Sequence, residues 1–207
     1  TPGTAEFLAA LLAAGDAPLR LKVVRHQKAA EMTITPSTSI VAESAAEEGA
    51  FRKLKPSGST SAKVTASRPT DNSPLTVLVD GKLSQDYGPV FGNGTGSGAY
   101  LLDLGAAKSI SAVQSWSFNQ NGNRARQLVT IFASDANSNP GWNTSDRTRF
   151  TPLATIDTAS LANGTFHAAS LRARTGQYLR NFRWILWSVP PATELLEHTA
   201  FQELEVV

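Results

Sequence analysis

The run Gln202-Glu203-Leu204-Glu205-Val206-Val207 alternates carboxylate and aliphatic side chains before its last residue. Successive side chains of an extended chain point to opposite faces, so Leu204 and Val206 share one face and Glu203 and Glu205 the other. That pattern predicts an antiparallel strand with one dry face and one wet face. A second run, Arg183-Trp184-Ile185-Leu186-Trp187-Ser188, has no polar side chain between its tryptophans. It predicts a central strand, either covered on both sides or presenting an aromatic platform. Similar short segments recur at Lys63–Ser67, Ala99–Leu104, Ile110–Phe118, Gln127–Ser134, Pro152–Ile156 and Thr165–Leu171. With Leu179–Ser188 and Ala200–Val207 they make a set of strands bounded by Gly, Pro, Asn and Ser. No helical pattern interleaves them, so this part of the chain is predicted to be an all-β antiparallel sandwich or jelly roll.

The chain has 207 residues, 41% of them hydrophobic and 17% charged, which excludes wholesale disorder. It has no cysteine, so disulfides, thiolate metal sites and thiol catalysis are excluded. Nineteen basic residues oppose 17 acidic ones and are spread along the chain, so no nucleic-acid partner is expected. No apolar run reaches the ~18–20 residues of a membrane span. The chain starts at Thr1 without a basic and apolar leader, as a mature product or an excised domain would.

The first sixty residues have a different texture. Thr4 to Gly15 reads as a short helix with an apolar stripe at Phe7, Leu8, Leu11 and Leu12. Leu19–Val24 and Met32–Thr35 read as strands, and the Ala/Glu-rich Ala42–Ala50 as a helical turn. Lys55–Ser61 has linker composition. The predicted organisation is an N-terminal extension or small subdomain, 1–60, of mixed helix and strand, followed by a sandwich, 62–207.

An ordered set of motifs marks the second part: Val79-Asp80-Gly81, Tyr100-Leu-Leu-Asp-Leu-Gly105, Ile110-Ser-Ala-Val113, Ala133-Ser-Asp135 followed by Trp142, Arg183-Trp-Ile185 and Phe201-Gln-Glu-Leu-Glu-Val206. This order resembles the discoidin domain, also called the coagulation-factor type C domain, within the galactose-binding-like jelly rolls. Several families of carbohydrate-binding modules share that fold. The resemblance covers about residues 62–207 and lacks the paired terminal cysteines of animal members. It implies a β-sandwich whose loops at one end bind a ligand without catalysis. That ligand is usually a glycan or glycoconjugate, and in other members a phospholipid headgroup or a protein. It also implies an extracytoplasmic setting: secreted, periplasmic or cell-surface. The alternative is a structural or protein-interaction module that docks another domain of its parent protein.

The same resemblance implies a structural calcium ion, with carboxylates from Asp80 and Glu203, Ser84 where the family often has Thr, and carbonyls of the Asp80–Ser84 loop. Taken alone, Asp80-Gly81 is a turn and Glu203 a solvated strand residue. Sugar sites combine an aromatic face with planar hydrogen-bonding groups. The loop Asn119–Arg124 offers Asn121, Asn123 and Arg124, with Arg126 close behind. Tyr87 and Phe91 are candidates for stacking, and His198, with Glu194 and Glu197, for the border of the same end. The bland reading of the Asn-rich loop is a hairpin turn. By resemblance Trp142 packs, while Trp116, Trp184 and Trp187 lie inside strands and belong to the core.

Two other motifs do not carry chemistry. Asp135 to Asn139, with Asp146 at the twelfth position, starts like an EF-hand loop, but Pro140 stands where the loop needs glycine. Gly92–Gly98 is glycine-rich but leads into a strand, whereas a dinucleotide loop opens a helix. His26, His167 and His198 have no metal spacing, and no G-x-S-x-G elbow is present, so no catalytic site is expected.

Overall fold

A computed structural model describes residues 19–25, 28–36, 40–45, 56–58, 60–92, 94, 96–121, 124–158, 164–173, 179, 181–192 and 197–207. The strands are β1 (Leu19–Arg25), β2 (Lys28–Pro36), β3 (Ile40–Ala45), β4 (Lys63–Ala66), β5 (Gly98–Ser109), β6 (Ala112–Asn119), β7 (Leu128–Ser134), β8 (Thr151–Thr158), β9 (Thr165–Ala173), β10 (Asn181–Val189) and β11 (Phe201–Val206). A 3-10 turn covers Leu75–Val79. The strands form two antiparallel sheets, one ordered β1-β2-β8-β7-β10-β5-β4 and the other β11-β6-β9-β3. The predicted all-β sandwich is therefore the observed architecture. The segments expected at Leu19–Val24 and Met32–Thr35 fall within β1 and β2. The helix expected at Thr4–Gly15 lies outside the described residues.

β10 is central, flanked by β7 and β5. Its side chains split between two clusters, as alternation requires. Ile185 and Trp187 join Tyr100, Leu102 and Ile131 in the core between the sheets. Trp184 and Leu186 join Leu101, Phe132 and Phe150 on the outer face of the larger sheet. Burying an aliphatic side chain such as Ile185 or Leu186 contributes roughly 1.5–3 kcal/mol. The Asp135–Phe150 loop roofs the outer cluster, where the Trp184 indole N–H donates to the Ala136 carbonyl at 2.8 Å. Beside it the Arg183 guanidinium grips the Asp103 carboxylate with two bonds, at 2.8 and 2.9 Å. That grip holds the Asp103 carboxyl below its ordinary range. Of the two readings of this strand, coverage on both sides is the one observed.

The wet face expected on β11 is not wet. Glu203 and Glu205 are buried. The chain from Asp80 to Gly88 lies along β11, and the Ser57 N–H and hydroxyl donate to Glu205 Oε1. The alternation was read correctly, but a segment more than a hundred residues away covers the polar side.

The strand pairings set the ends of β4 to β11 at two poles. Val189 pairs with Gly98, Ser188 with Thr130, Asn119 with Thr165 and Phe201 with Ser117. The connections leaving β4, β6, β8 and β10 therefore meet at one end, here the loop end. Those leaving β5, β7 and β9 meet at the opposite end.

The N-terminal strands join both sheets. β2 pairs with β8 and carries β1 on its other side, while β3 pairs with β9. β2 ends at Pro36, paired with Ala154, and β3 begins at Ile40, paired with Ala173. Ala42–Ala45, expected to be helical, is part of β3. Pairing with β9 overrides the helix preference of an Ala/Glu-rich sequence.

Candidate functional site

At the loop end the core turns polar. Gln127 is fully buried and clamps three segments. Its side-chain oxygen accepts from the Ser115 hydroxyl at 2.6 Å. Its amide nitrogen donates to the Ser115 carbonyl, the Ser117 hydroxyl and the His167 carbonyl at 3.2–3.3 Å. Its backbone N–H donates to the Thr158 hydroxyl at 2.8 Å. Ser117 in turn donates to the Ala125 carbonyl at 2.6 Å. Buried polar groups are tolerated when satisfied in this way. The network fixes the path of residues 125–127, and with it the two arginines of the β6–β7 loop.

Arg124 has φ of 66°, in the left-handed region. Its carbonyl accepts from the Ala200 N–H at 3.0 Å, tying the β6–β7 loop to the segment before β11. Its guanidinium lies 5.8 Å from the Tyr87 ring centroid and donates to the His198 carbonyl at 3.4 Å. Thr199 adds a bond from its hydroxyl to the Arg126 carbonyl at 2.6 Å. Three distant parts of the chain, Tyr87, Arg124 and the 197–200 segment, are thereby brought to one place. Tyr87 and Arg124 are half-buried there, and Asn121 is exposed on the same loop.

The other expected ligand residues divide. Arg126 is half-exposed and forms a two-bond ion pair with Asp157, at 2.9 and 3.0 Å. Asn123 and Glu194 lie outside the described residues. Phe91, expected as a stacking surface, is fully buried, stacked on Tyr100 at 4.8 Å. Close packing under the loop makes it a core residue, with no face for a ligand. The His198 ring is buried too, edge-on to Phe91 at 5.7 Å, and its backbone carbonyl accepts from Arg124. Gln127, Thr199 and Asp157 escaped the sequence reading. The available signal was a glutamine opening an otherwise apolar strand.

Asp80, Ser84 and Glu203 meet along the seam between the 80–88 segment and β11. The Gly81 N–H donates to Glu203 Oε2 at 3.0 Å, and the Ser84 N–H to the Gln202 side-chain oxygen at 3.0 Å. Glu203 Oε1 is buried without a hydrogen-bond partner among the described residues. Burial, with Asp80 and Glu205 nearby, pushes the Glu203 carboxyl up to about 8, against the pull of the Gly81 amide. Asp80 is exposed and accepts from the Lys82 N–H at 2.9 Å. The donor set is all oxygen, as a hard cation requires. Among the described residues no three His, Asp or Glu side chains stand grouped for a metal, so carbonyls would have to complete a shell here.

The remaining motifs behave as turns. Asp146 accepts from the Thr148 N–H and hydroxyl, and Asn139 from the Gly141 N–H. β5 begins at Gly98, directly after the glycine-rich run. Trp116, Trp184 and Trp187 are buried as expected, but Trp142 is 39% exposed. No helix of the described residues is long and apolar enough to cross a membrane.

No family model matches the chain, and no curated protein does. Among solved structures it is similar to the CBM32 module of AlyQ in complex with 4,5-unsaturated mannuronic acid, at 18% identity and a TM-score of 0.45, covering 70% of this chain and 93% of that one. It is also similar to a Clostridium perfringens module, CpGH89CBM32-4, in complex with GlcNAc-α-1,4-galactose, at 13% identity and a TM-score of 0.38, covering 70% and 88%. A chitosan-binding module from a Paenibacillus sp. IK-5 chitosanase/glucanase follows, at 15% identity and a TM-score of 0.31, covering 62% and 96%. All three of these TM-scores lie below 0.5.

Proposed function

We propose that this chain is a non-catalytic carbohydrate-binding module that holds a glycan at the loop end, on Arg124, Tyr87 and the neighbouring Asn121. The observation that carries this reading is the backbone of Arg124. A non-glycine residue in the left-handed region costs roughly 1–2 kcal/mol, which glycine would not. The only other such residue among those described, Asn72, is of a type that tolerates the region. Strain kept in this way marks a side chain retained for its chemistry. Here that side chain lies over an aromatic ring, giving a planar donor group beside a stacking face. An extracytoplasmic setting, where polymeric glycans are met, belongs to the same proposal. Affinity is expected to be modest, because a shallow site excludes little water and must replace the hydration of many hydroxyls.

Arg124→Gly tests the reading directly. The variant is expected to melt at or above the wild-type Tm while losing at least tenfold in affinity in calorimetric titration with galactose-type and uronate-type saccharides. Wild-type affinity in the glycine variant, or silence of the wild type across the panel at millimolar ligand, would overturn it.

The same proposal includes a structural calcium ion on the 80–88 seam. Asp80, the buried orphan oxygen of Glu203 and loop carbonyls would hold it, and Ser84 lies within the same loop. The ion's chemistry is purely electrostatic: it would neutralise buried carboxylates and pin the loop to β11. Calcium is expected to raise the Tm of the wild type by several degrees, and Asp80→Ala and Glu203→Gln each to abolish that gain. Equal Tm values with calcium and with chelator would remove the ion from the account.

A further inference from the structure

Trp142 is the only tryptophan exposed among the described residues, and its surroundings are not those of a frayed loop. It stands on the Asp135–Phe150 connection, at the end of the sandwich opposite Arg124. Phe150, at the foot of this connection, is buried against Phe132. The connection is tied internally by bonds from the Gly141 N–H to Asn139 Oδ1, the Thr144 N–H to the Trp142 carbonyl and the Ser145 N–H to Asn143 Oδ1, at 2.8–3.2 Å. Arg149 adds a bond to the Pro140 carbonyl at 3.3 Å. A buried hydrophobic cluster of Phe132, Phe150 and Trp184 lies under the same connection, whereas Trp142 is 39% exposed. Apolar surface left in water forfeits roughly 25 cal/mol per Å².

Asn139 and Asn143 flank Trp142 in the sequence of this connection. Asn139 and Asn143 spend their oxygens on the turns just described. Their amide NH2 groups, and the Trp142 indole N–H, make no hydrogen bond among the described residues. A pyranose ring is held by an exposed aromatic, on which its C–H face stacks, together with donors to its hydroxyls, and this connection carries both kinds of group.

We propose that Trp142, with Asn139 and Asn143, forms a second carbohydrate-stacking site at the end of the sandwich opposite the loop end. The proposal deepens the glycan-binding reading and rests on it for the class of ligand. The two sites are joined by β7, whose seven residues at about 3.3 Å each span roughly 20 Å. A polymer engages both and gains by avidity, whereas a short saccharide engages one at a time.

The test is calorimetric titration of the wild type, Arg124→Gly, Trp142→Ala and the double variant with a soluble galactan, a soluble polyuronate and short oligosaccharides of each. Thermal melting checks that every variant is folded. Trp142→Ala is expected to weaken binding of the recognised polymer at least tenfold and to abolish what remains in Arg124→Gly. Trp142→Tyr is expected to restore most of the loss, as a stacking role requires. Polymer affinity unchanged in Trp142→Ala, with loss in Arg124→Gly, overturns this site and leaves the loop end standing. Loss in Trp142→Ala with none in Arg124→Gly does the reverse, and silence of the wild type on both polymers overturns the two together.

Discussion

Gln127 shows how one buried polar residue positions a surface it does not reach. Its bonds to Ser115, Ser117 and the His167 carbonyl hold the last turn of the loop that carries Arg124. His167 is itself fully buried, and burial pushes its imidazole down to about 4, from 6.5. Between those values the unfolded chain binds a proton that the folded chain refuses. The stability conferred by the neutral ring is therefore complete above pH 6.5 and drains away as pH falls towards 4, by about 3 kcal/mol. The urea-unfolding free energy of the wild type minus that of His167→Gln should shrink by that amount from pH 7 to pH 4. A difference that stays level would show that the ring is not held neutral. At this scale the sequence was only partly legible. Arg124 and Tyr87 were recognisable as chemistry-bearing types in loops. Phe91 and the His198 ring were not recognisable as core, because burial depends on which distant loop closes over them.

The strands were the most legible elements, since period-two alternation between turn residues is a local signal. Each of the eight predicted from Lys63 onward is present, with ends shifted by a few residues. What local pattern cannot convey is coverage. The polar face of β11 looks solvated in the sequence, and becomes buried because the 80–88 segment lies against it. Gly88 is where that contact is tightest: a Cβ there would lie 1.7 Å from the Phe201 carbonyl oxygen. No rotamer relieves a clash with backbone, so Gly88→Ala must lift the segment off the strand. Overpacking of this kind costs about 2 kcal/mol, or roughly 4–8 °C in a chain of this size. Differential scanning calorimetry would register it. A Tm within a degree of wild type would mean that the segment is not braced on β11.

At the scale of the whole molecule, a five-stranded sheet faces a three-stranded one; β1 and β2 extend the first at its β8 edge and β3 extends the second at its β9 edge. The pairings draw β1–β3 into the same two sheets as β4–β11. Nothing local in Ile40–Ala45 announces a strand; its partner β9 lies more than 120 residues away. Deleting residues 1–55 would bare the edges of β8 and β9, and exposed edges invite pairing between chains. The shortened chain is expected to melt at least 5 °C lower and to self-associate in sedimentation velocity. An unchanged Tm with a monomeric profile would make the N-terminal strands dispensable. The pairing of Val206 with Val113 also sets Val207 at the pole away from Arg124. A biosensor chip coupled through that terminus would hold every copy with Arg124 facing the flow and Trp142 turned towards the matrix. Reversing the attachment would swap which of the two is reachable.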